Sequence, residues 1–253
     1  MKSALITAGA SGIGAAMAGA FAAAGYRVWV TDVDKGALAA SPHRASPHRA
    51  SLADVRDEGQ MQTLTAQIAA EWGSLDVVCA NAGIKGPTAS IADMPLDGWR
   101  DCLAVNLDGA FLTAKHCIPL LRRGSVVLFT SSTAGIYGFP YRSPYAAAKW
   151  GVIGLMKTLA MELGPQGIRA NAILPGSVNG PRIDRVFADE AAAKGMTPQA
   201  IRAGYEAGTA LRALADAEDV ANMAVFLASS GARMVSGQTI TIDGFTINPD
   251  PQV

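Results

Sequence analysis

Tyr145 and Lys149 stand four residues apart in Pro144-Tyr-Ala-Ala-Ala-Lys149. On a helix that spacing stacks a phenol and an ammonium on one face. A free phenol, with a pKa of about 10, is a poor base near neutral pH. A cation one turn away favours the phenolate and lowers that value, so the pair can pass a proton to and from a substrate oxygen. Two other features lift the pair above a chance spacing. Ser132 offers a hydroxyl 13 residues upstream, and Thr7-Ala-Gly-Ala-Ser-Gly-Ile-Gly14 follows an apolar run and opens a helical pattern. Backbone N–H groups in such a turn, together with the helix dipole, attract a pyrophosphate, and the glycines let the backbone approach closely. Asp32 follows the second candidate strand, 18 residues after Gly14. A carboxylate there accepts hydrogen bonds from both hydroxyls of an adenosine ribose and repels a 2′-phosphate. No Lys or Arg lies within the turn or directly after Asp32, so NAD is expected in preference to NADP.

These residues are set in a regular alternation of apolar runs and helical patterns. Candidate strands are Ala4–Thr7, Arg27–Thr31, Arg49–Ala53, Leu75–Ala80, Ser125–Ser131, Arg169–Leu174 and Gln238–Ile242. Between most of them lie segments with a 3.6-residue apolar period: Ile13–Ala24, Asp57–Trp72, Trp99–Arg122, Ser143–Leu163 and Asp216–Ala228. Short β-branched strands alternating with helices predict βαβ units and a parallel α/β sheet, with right-handed crossovers placing helices on both faces. Nothing resembling a linker divides the chain. Ser-Pro-His-Arg-Ala occurs twice in tandem at 41–45 and 46–50, and its prolines predict a lengthened surface loop before the third strand. Residues 176–215 form a connection of roughly 40 residues, long for a plain loop. They are expected to be a lid over the site; the alternative is a helical excursion that only packs.

Composition excludes several function classes. The chain has 253 residues, with 21 basic and 21 acidic side chains and a formal net charge of +0. No basic run suits nucleic acid or an anionic membrane surface. No apolar stretch approaches the roughly 18 residues of a membrane span, and the short apolar run after Met1-Lys2-Ser3 does not read as a signal peptide. Cys79, Cys102 and Cys117 form no Cys-x-x-Cys and are expected to pack as small apolar groups in a reducing, cytoplasmic setting. No metal site is expected, His43 and His48 of the tandem repeat included.

Taken together, the motifs resemble the short-chain dehydrogenase/reductase family over essentially the whole length. The family's Thr-Gly-x-x-x-Gly-x-Gly aligns with Thr7, Ala8, Gly12 and Gly14; Ala8 replaces the first glycine, and Gly9 beside it is expected to keep the turn flexible. Asn81-Ala82-Gly83 matches the segment after the fourth strand, Asp54-Val55 the pair that holds the adenine, and Asn106 the helix asparagine. Ser132 holds the catalytic serine spacing to Tyr145, and Pro175-Gly176 with Val178 matches the turn beside the nicotinamide. Gly237-Gln-Thr-Ile-Thr-Ile-Asp-Gly-Phe245 resembles the C-terminal motif. The resemblance implies a single Rossmann-type doubly wound domain over 1–253, with a seven-stranded parallel sheet in the order 3-2-1-4-5-6-7. Separately, the tail Phe245–Val253, with Pro249 and Pro251, is expected to reach a neighbouring subunit. The resemblance also implies a homotetramer or homodimer. Its catalytic set is Asn106, Ser132, Tyr145 and Lys149. Its NAD-binding set is Gly9, Ser11, Gly12, Ile13, Gly14, Asp32, Val33, Asp54, Val55, Asn81, Ala82, Gly83, Tyr145, Lys149, Pro175, Gly176 and Val178.

The reaction so implied interconverts a secondary alcohol and a ketone. Tyr145 is the acid/base, Ser132 holds the substrate oxygen, Lys149 lowers the phenol's pKa and bonds the nicotinamide ribose, and Asn106 holds a water leading to Lys149. Alternatives are a dihydrodiol or polyol dehydrogenase, or an NAD sensor that has lost its chemistry. Arg142, Arg182 and Arg185 lie near Tyr145 or in the 176–215 segment and could bind the carboxylate, phosphate or sulfonate of a small anionic hydroxy or keto substrate. Salt bridges to Asp184, Asp189 or Glu190 would equally explain them. Tyr137, Phe139, Trp150, Phe187 and Tyr205 could supply an apolar wall.

Overall fold

The computed structural model describes residues 1–249. Among them, β1 (Ser3–Thr7), β2 (Arg27–Asp32), β3 (Arg49–Leu52), β4 (Leu75–Ala80), β5 (Leu121–Thr130), β6 (Arg169–Pro175) and β7 (Thr239–Ile242) form one parallel sheet in the order β3-β2-β1-β4-β5-β6-β7. β1 is buried along its whole length, as befits a central parallel strand covered on both sides. Its pleat distributes side chains between two cores. Leu5 joins Met61, Phe129 and Met156 on one face, where α3 (Glu58–Trp72), α5 (Gly109–Cys117) and α6 (Ser143–Leu163) pack. Ala4 and Ile6 join Met17, Phe21 and Leu227 on the other, beneath α1 (Gly12–Ala23) and α9 (Ala217–Ala228). The strand order reverses between β1 and β4, so the carboxyl ends of those strands open a crevice, the usual ligand position in this architecture.

Several boundaries differ from the sequence expectation. A single helix over Trp99–Arg122 is not formed. The chain instead makes α4 (Leu96–Leu103), a π-helical turn (Ala104–Asp108) and α5, then a short 3-10 turn at Ile118–Leu120 whose second residue is Pro119. Proline closes the helical run, and Leu121 already belongs to β5, four residues ahead of the expected Ser125. The early start carries a register irregularity against β4 between Leu75 and Val77. An unforeseen helix, α2 (Lys35–Ala40), follows β2; Asp34 caps it by accepting from the N–H groups of Gly36 and Ala37. The tandem repeat is not plain loop: its first copy forms a 3-10 turn at Pro42–Arg44, and its second runs into β3. There His48 Nδ1 accepts from the Val28 N–H at 3.1 Å. Residues 250–253 of the expected tail lie outside the described residues.

Ala8 and Gly9 exchange their expected roles. Ala8 takes the left-handed conformation (φ 49°). Gly9 is needed for closeness, because a Cβ there would stand 2.9 Å from Ile6 O and Val30 Cβ. A left-handed conformation costs an L-residue about 1–2 kcal/mol, partly offset by the lower unfolded-state entropy of Ala relative to Gly, about 0.5–1 kcal/mol. Ala8→Gly should therefore stabilise the fold by a net of about 0.5–1 kcal/mol, read as a higher urea midpoint at unchanged slope; a lower midpoint would contradict the strain at this position.

Candidate active site

The carboxyl ends of five strands meet at the crevice. At β1, Thr7 Oγ1 donates to Cys79 O (3.3 Å) and accepts from the N–H groups of Asn81 (2.9 Å) and Ala82 (3.1 Å). Asn81 Nδ2 donates to Thr7 O, and Thr130 Oγ1 donates to Asn81 Oδ1 at 3.0 Å. One hydroxyl and one amide thus pin the ends of β1, β4 and β5 together. A Cβ at Gly14 would collide with the Ala8 carbonyl and stand 2.7 Å from Asn81 Nδ2, so α1 can start this close to β4 only on glycine.

The turn faces outward. Ser11 makes no side-chain cap, and Ala15 is the residue whose N–H first reaches back, to Ser11 O. Nothing lies within 4 Å of where a Cβ of Gly12 (φ +51°) would be. The start of α1 at Gly12 therefore borders open space at the positive end of the helix. Asp32 closes the other side: its carboxylate accepts from Ala10 N (3.3 Å) and Asp34 N (3.1 Å), and Val33 beside it is 63% exposed. These groups fit a dinucleotide, with pyrophosphate on the turn and ribose on the carboxylate. Val55 is buried against Gly109, where a Cβ would come within 2.5 Å of Val55 Cγ2. Asp54 is held by Arg56, which also reaches Asp101, and this pairing lowers the Asp54 pKa. Gly176 allows close approach to Asp243 (2.8 Å from Cβ to a Cβ placed on the glycine), and Val178 forms a bridge with Ala215.

Tyr145, Lys149, Ser132 and Asn106 come together across α6, the end of β5 and the π turn. Pro144 lies in the first turn of α6, where its missing N–H costs no helical bond. Lys149 is 2% exposed; its ammonium donates to Thr130 O at 2.8 Å and lies 5.6 Å from the Tyr145 ring centre. Ser131 Oγ donates to Lys149 O at 2.8 Å, fixing α6 to the strand from the other side. Ser132 Oγ accepts from Ala134 N (3.2 Å) and reaches Pro175 O (3.4 Å), and it stands near enough to Tyr145 to favour the phenolate. Asn106 sits in the π turn, a distortion common at functional sites. Its Nδ2 donates to Cys102 O (2.9 Å) and Ile84 O (3.0 Å). Its buried Oδ1 has no protein partner. A Cβ at Gly83 would stand 2.6 Å from that oxygen and 3.3 Å from Lys149 Nζ, so both groups face the Gly83 backbone.

Two of the three arginines join this cluster. Arg142 lies over the Tyr145 ring with Cζ 4.5 Å from its centre, and Arg182, on α7 (Pro181–Lys194), lies at 5.9 Å. Burial raises the Tyr145 pKa; Lys149, Arg182 and Arg142 pull it down, with the Ser132 hydroxyl, and the balance leaves it at about 8. The Lys149 ammonium is itself pushed down by burial and by Arg182, against the opposing pull of Tyr145. Arg185 stands instead beside Lys85, a residue the sequence reading passed over although it follows Asn81-Ala-Gly-Ile directly. The salt bridges that would have explained the arginines are made by others: Asp189 pairs with Lys85, and Glu190 with Lys194 and the Tyr205 hydroxyl. The aromatic wall is partly corrected as well. Trp150 is 53% exposed and faces away, whereas Phe187 and Tyr205 stack at 5.1 Å within the 176–215 segment. Tyr205 and Phe139 line a small cavity with Thr133, Ser177 and Leu214.

A glycine-rich turn, the Asp32 carboxylate and a Ser–Tyr–Lys cluster thus stand at one edge of a seven-stranded parallel sheet. The family model described as enoyl-(acyl carrier protein) reductase matches residues 7–245. The chain belongs to the short-chain dehydrogenase/reductase family. It is 37% identical over 249 residues to cis-4-hydroxycyclohexanecarboxylate dehydrogenase of Sinomonas cyclohexanicum, covering 95% of this chain and 94% of the relative. It is 35% identical over 257 residues to the trans-4-hydroxycyclohexanecarboxylate dehydrogenase of the same organism, covering 96% and 92%. Among solved structures it resembles NAD+-bound xylitol dehydrogenase, with a TM-score of 0.90 and 25% identity over 96% of this chain and 98% of that one. It is therefore an oxidoreductase of CH–OH groups that uses a nicotinamide cofactor.

The cation cage around Tyr145 can be read directly. An ultraviolet titration of phenolate, wild type minus Tyr145→Phe, should inflect near pH 8. Removing a neighbouring cation raises a phenol's pKa, so Arg182→Met or Arg142→Met should move the inflection upward by about half a pH unit or more. An inflection near pH 10 in the wild type would contradict the cage.

Proposed function

We propose that the chain is an NAD-preferring dehydrogenase/reductase of small hydroxy or keto acids, with Tyr145 as its acid/base. The observation that carries this is a buried phenol with three cations around it, its pKa near 8. Bound in the crevice, the nicotinamide supplies the hydride acceptor, or the donor in reduction. In oxidation the Tyr145 phenolate takes the hydroxyl proton of the alcohol. Ser132 Oγ donates to the substrate oxygen and orients the carbinol carbon. Lys149, anchored by Thr130 O, stabilises the phenolate and has donors left for a cofactor ribose. The unpartnered Asn106 Oδ1 is an acceptor suited to a bridging water on the Lys149 side, so that a proton can leave.

Asp32 supports the preference for NAD. Its carboxylate is aimed by two backbone N–H groups at the crevice, where it can accept from ribose hydroxyls and would repel a 2′-phosphate. Residues 176–215 act as the lid. α7 and α8 (Pro198–Ala207) share a small core of Phe187, Ala191 and Ile201, and Arg182 donates to Gly83 O at 3.1 Å across the crevice. Anionic substrates are supported by Arg142 and Arg182 over Tyr145, and by relatives named for hydroxycyclohexanecarboxylates. Copies of the chain pair through α6, where Trp150, Gly154 and Met161 form one exposed stripe at helical spacing. Three buried free thiols suit a reducing, cytoplasmic setting.

Tyr145→Phe should lower NAD-dependent alcohol oxidation by about three orders of magnitude or more while NADH fluorescence titration shows unchanged binding; retained turnover would refute the assignment. In the same assay, NAD should exceed NADP in kcat/KM, and Asp32→Ala should narrow that gap.

A further inference from the structure

The positive charge that Arg142 and Arg182 bring to Tyr145 continues along the rim to Lys85, and it has an internal counter-ion. Gly83 lies against Asn106 and Lys149, and Gly86 packs on Cys102 and Pro144, the residue before Tyr145. The two residues between those glycines, Ile84 and Lys85, therefore run along the active-site rim, and Lys85 is the charged one. Arg142 and Arg185 are close enough to Lys85 to disfavour its charge. Arg142 thus links two groups of cations, standing over the phenol with Arg182 and within reach of Lys85, which also feels Arg185. Neither Arg142 nor Arg185 has a side-chain hydrogen bond or ion pair among the described residues. The carboxylate that answers this cluster is Asp189 of α7, paired with Lys85. Both partners are partly exposed, with side-chain exposures of 34% and 42%, so a solute can reach the pair. The second tie across the same crevice, Arg182 to Gly83 O, also joins α7 to this loop.

Resting on the anionic-substrate reading above, we propose that Lys85 is a specificity-determining residue that binds the substrate's carboxylate, and that Asp189 occupies its ammonium until the substrate displaces it. The lid then carries a carboxylate that mimics the substrate's own. A carboxylate substrate exchanges one Lys85 ion pair for another and gains the unpartnered Arg142 as a second contact. A neutral alcohol cannot break the Lys85–Asp189 pair and meets a closed rim. Discrimination thus comes partly from the competitor built into α7, and weakening that competitor should tighten anion binding.

The test uses the whole chain saturated with NADH and titrated with cyclohexanecarboxylate or its uncharged methyl ester, followed by NADH fluorescence. Neither probe is turned over, so binding alone is read. The wild type should bind the carboxylate about tenfold more tightly than the ester, the size expected of a partly exposed charge-assisted contact. Lys85→Met should abolish most of that preference, weakening the carboxylate and, with the pair that closes the rim gone, binding the ester at least as tightly as before. Asp189→Asn should tighten carboxylate binding several-fold and leave Kd for NADH unchanged. The proposal is overturned if the wild type does not discriminate, if Lys85→Met keeps the preference, or if Asp189→Asn weakens carboxylate binding as a lost structural brace would. Failure of the dehydrogenase reading looks different: it appears as turnover surviving Tyr145→Phe, whatever the carboxylate preference.

Discussion

An ammonium with 2% exposure is the constraint on which the rest of this site depends. Lys149 can stay charged there only if its donors are satisfied, because an unpaired buried cation would shed its proton instead. Thr130 O takes one donor. That carbonyl is available because β5 ends at Thr130 and the chain turns away. Ser131, the next residue, then bonds the Lys149 backbone and locks strand end to helix. The distance between phenol and ammonium is therefore set by a strand terminus and one helical turn, both rigid. Moving the Tyr145 pKa from 10 to about 8 amounts to roughly 3 kcal/mol in favour of phenolate. Burial works against that, so the cations must more than cancel the desolvation of the phenol.

The fold serves this electrostatic arrangement. A parallel sheet gathers the carboxyl ends of its strands on one edge, and the order reversal between β1 and β4 leaves a crevice there. The Thr7–Asn81–Thr130 hydrogen bonds tie three of those ends together. The phosphate turn and the Lys149 anchor are thereby held in one frame. The π turn at Ala104–Asp108 gives Asn106 an inward-facing position that a regular helix would not, and the Gly83 backbone lies against its carbonyl oxygen. α7 adds the Arg182 guanidinium, which couples that helix electrostatically to the Tyr145 phenol.

Much of this was legible in the chain because local patterns and tertiary demands agree. Ser143–Leu163 is a helix because its apolar period is unbroken and Pro144 suits its first turn. Strand cores such as Val126–Phe129 are continuous apolar runs that a doubly covered sheet explains. Misreadings arose where the deciding contact is distant. Trp99–Arg122 has a helical period throughout, but the register with β4 draws Leu121 into a strand. Gly9 reads as a hinge until Val30 is seen packed against it, and Ala8 gives no sign that it takes the strained conformation. Lys85 gave no signal in the sequence because its ion-pair partner, Asp189, lies 104 positions away.

The central claim is that Tyr145 works as a base because positive charge holds its phenol near neutrality. The pH dependence of kcat/KM for NAD-dependent oxidation of a secondary alcohol reports the free enzyme's ionisation. It should rise tenfold per pH unit below about 8 and level off above, since the phenolate form grows as pH passes the pKa. A profile flat from about pH 6 to 9, or one still climbing toward about 10, the ordinary phenol range, would contradict it.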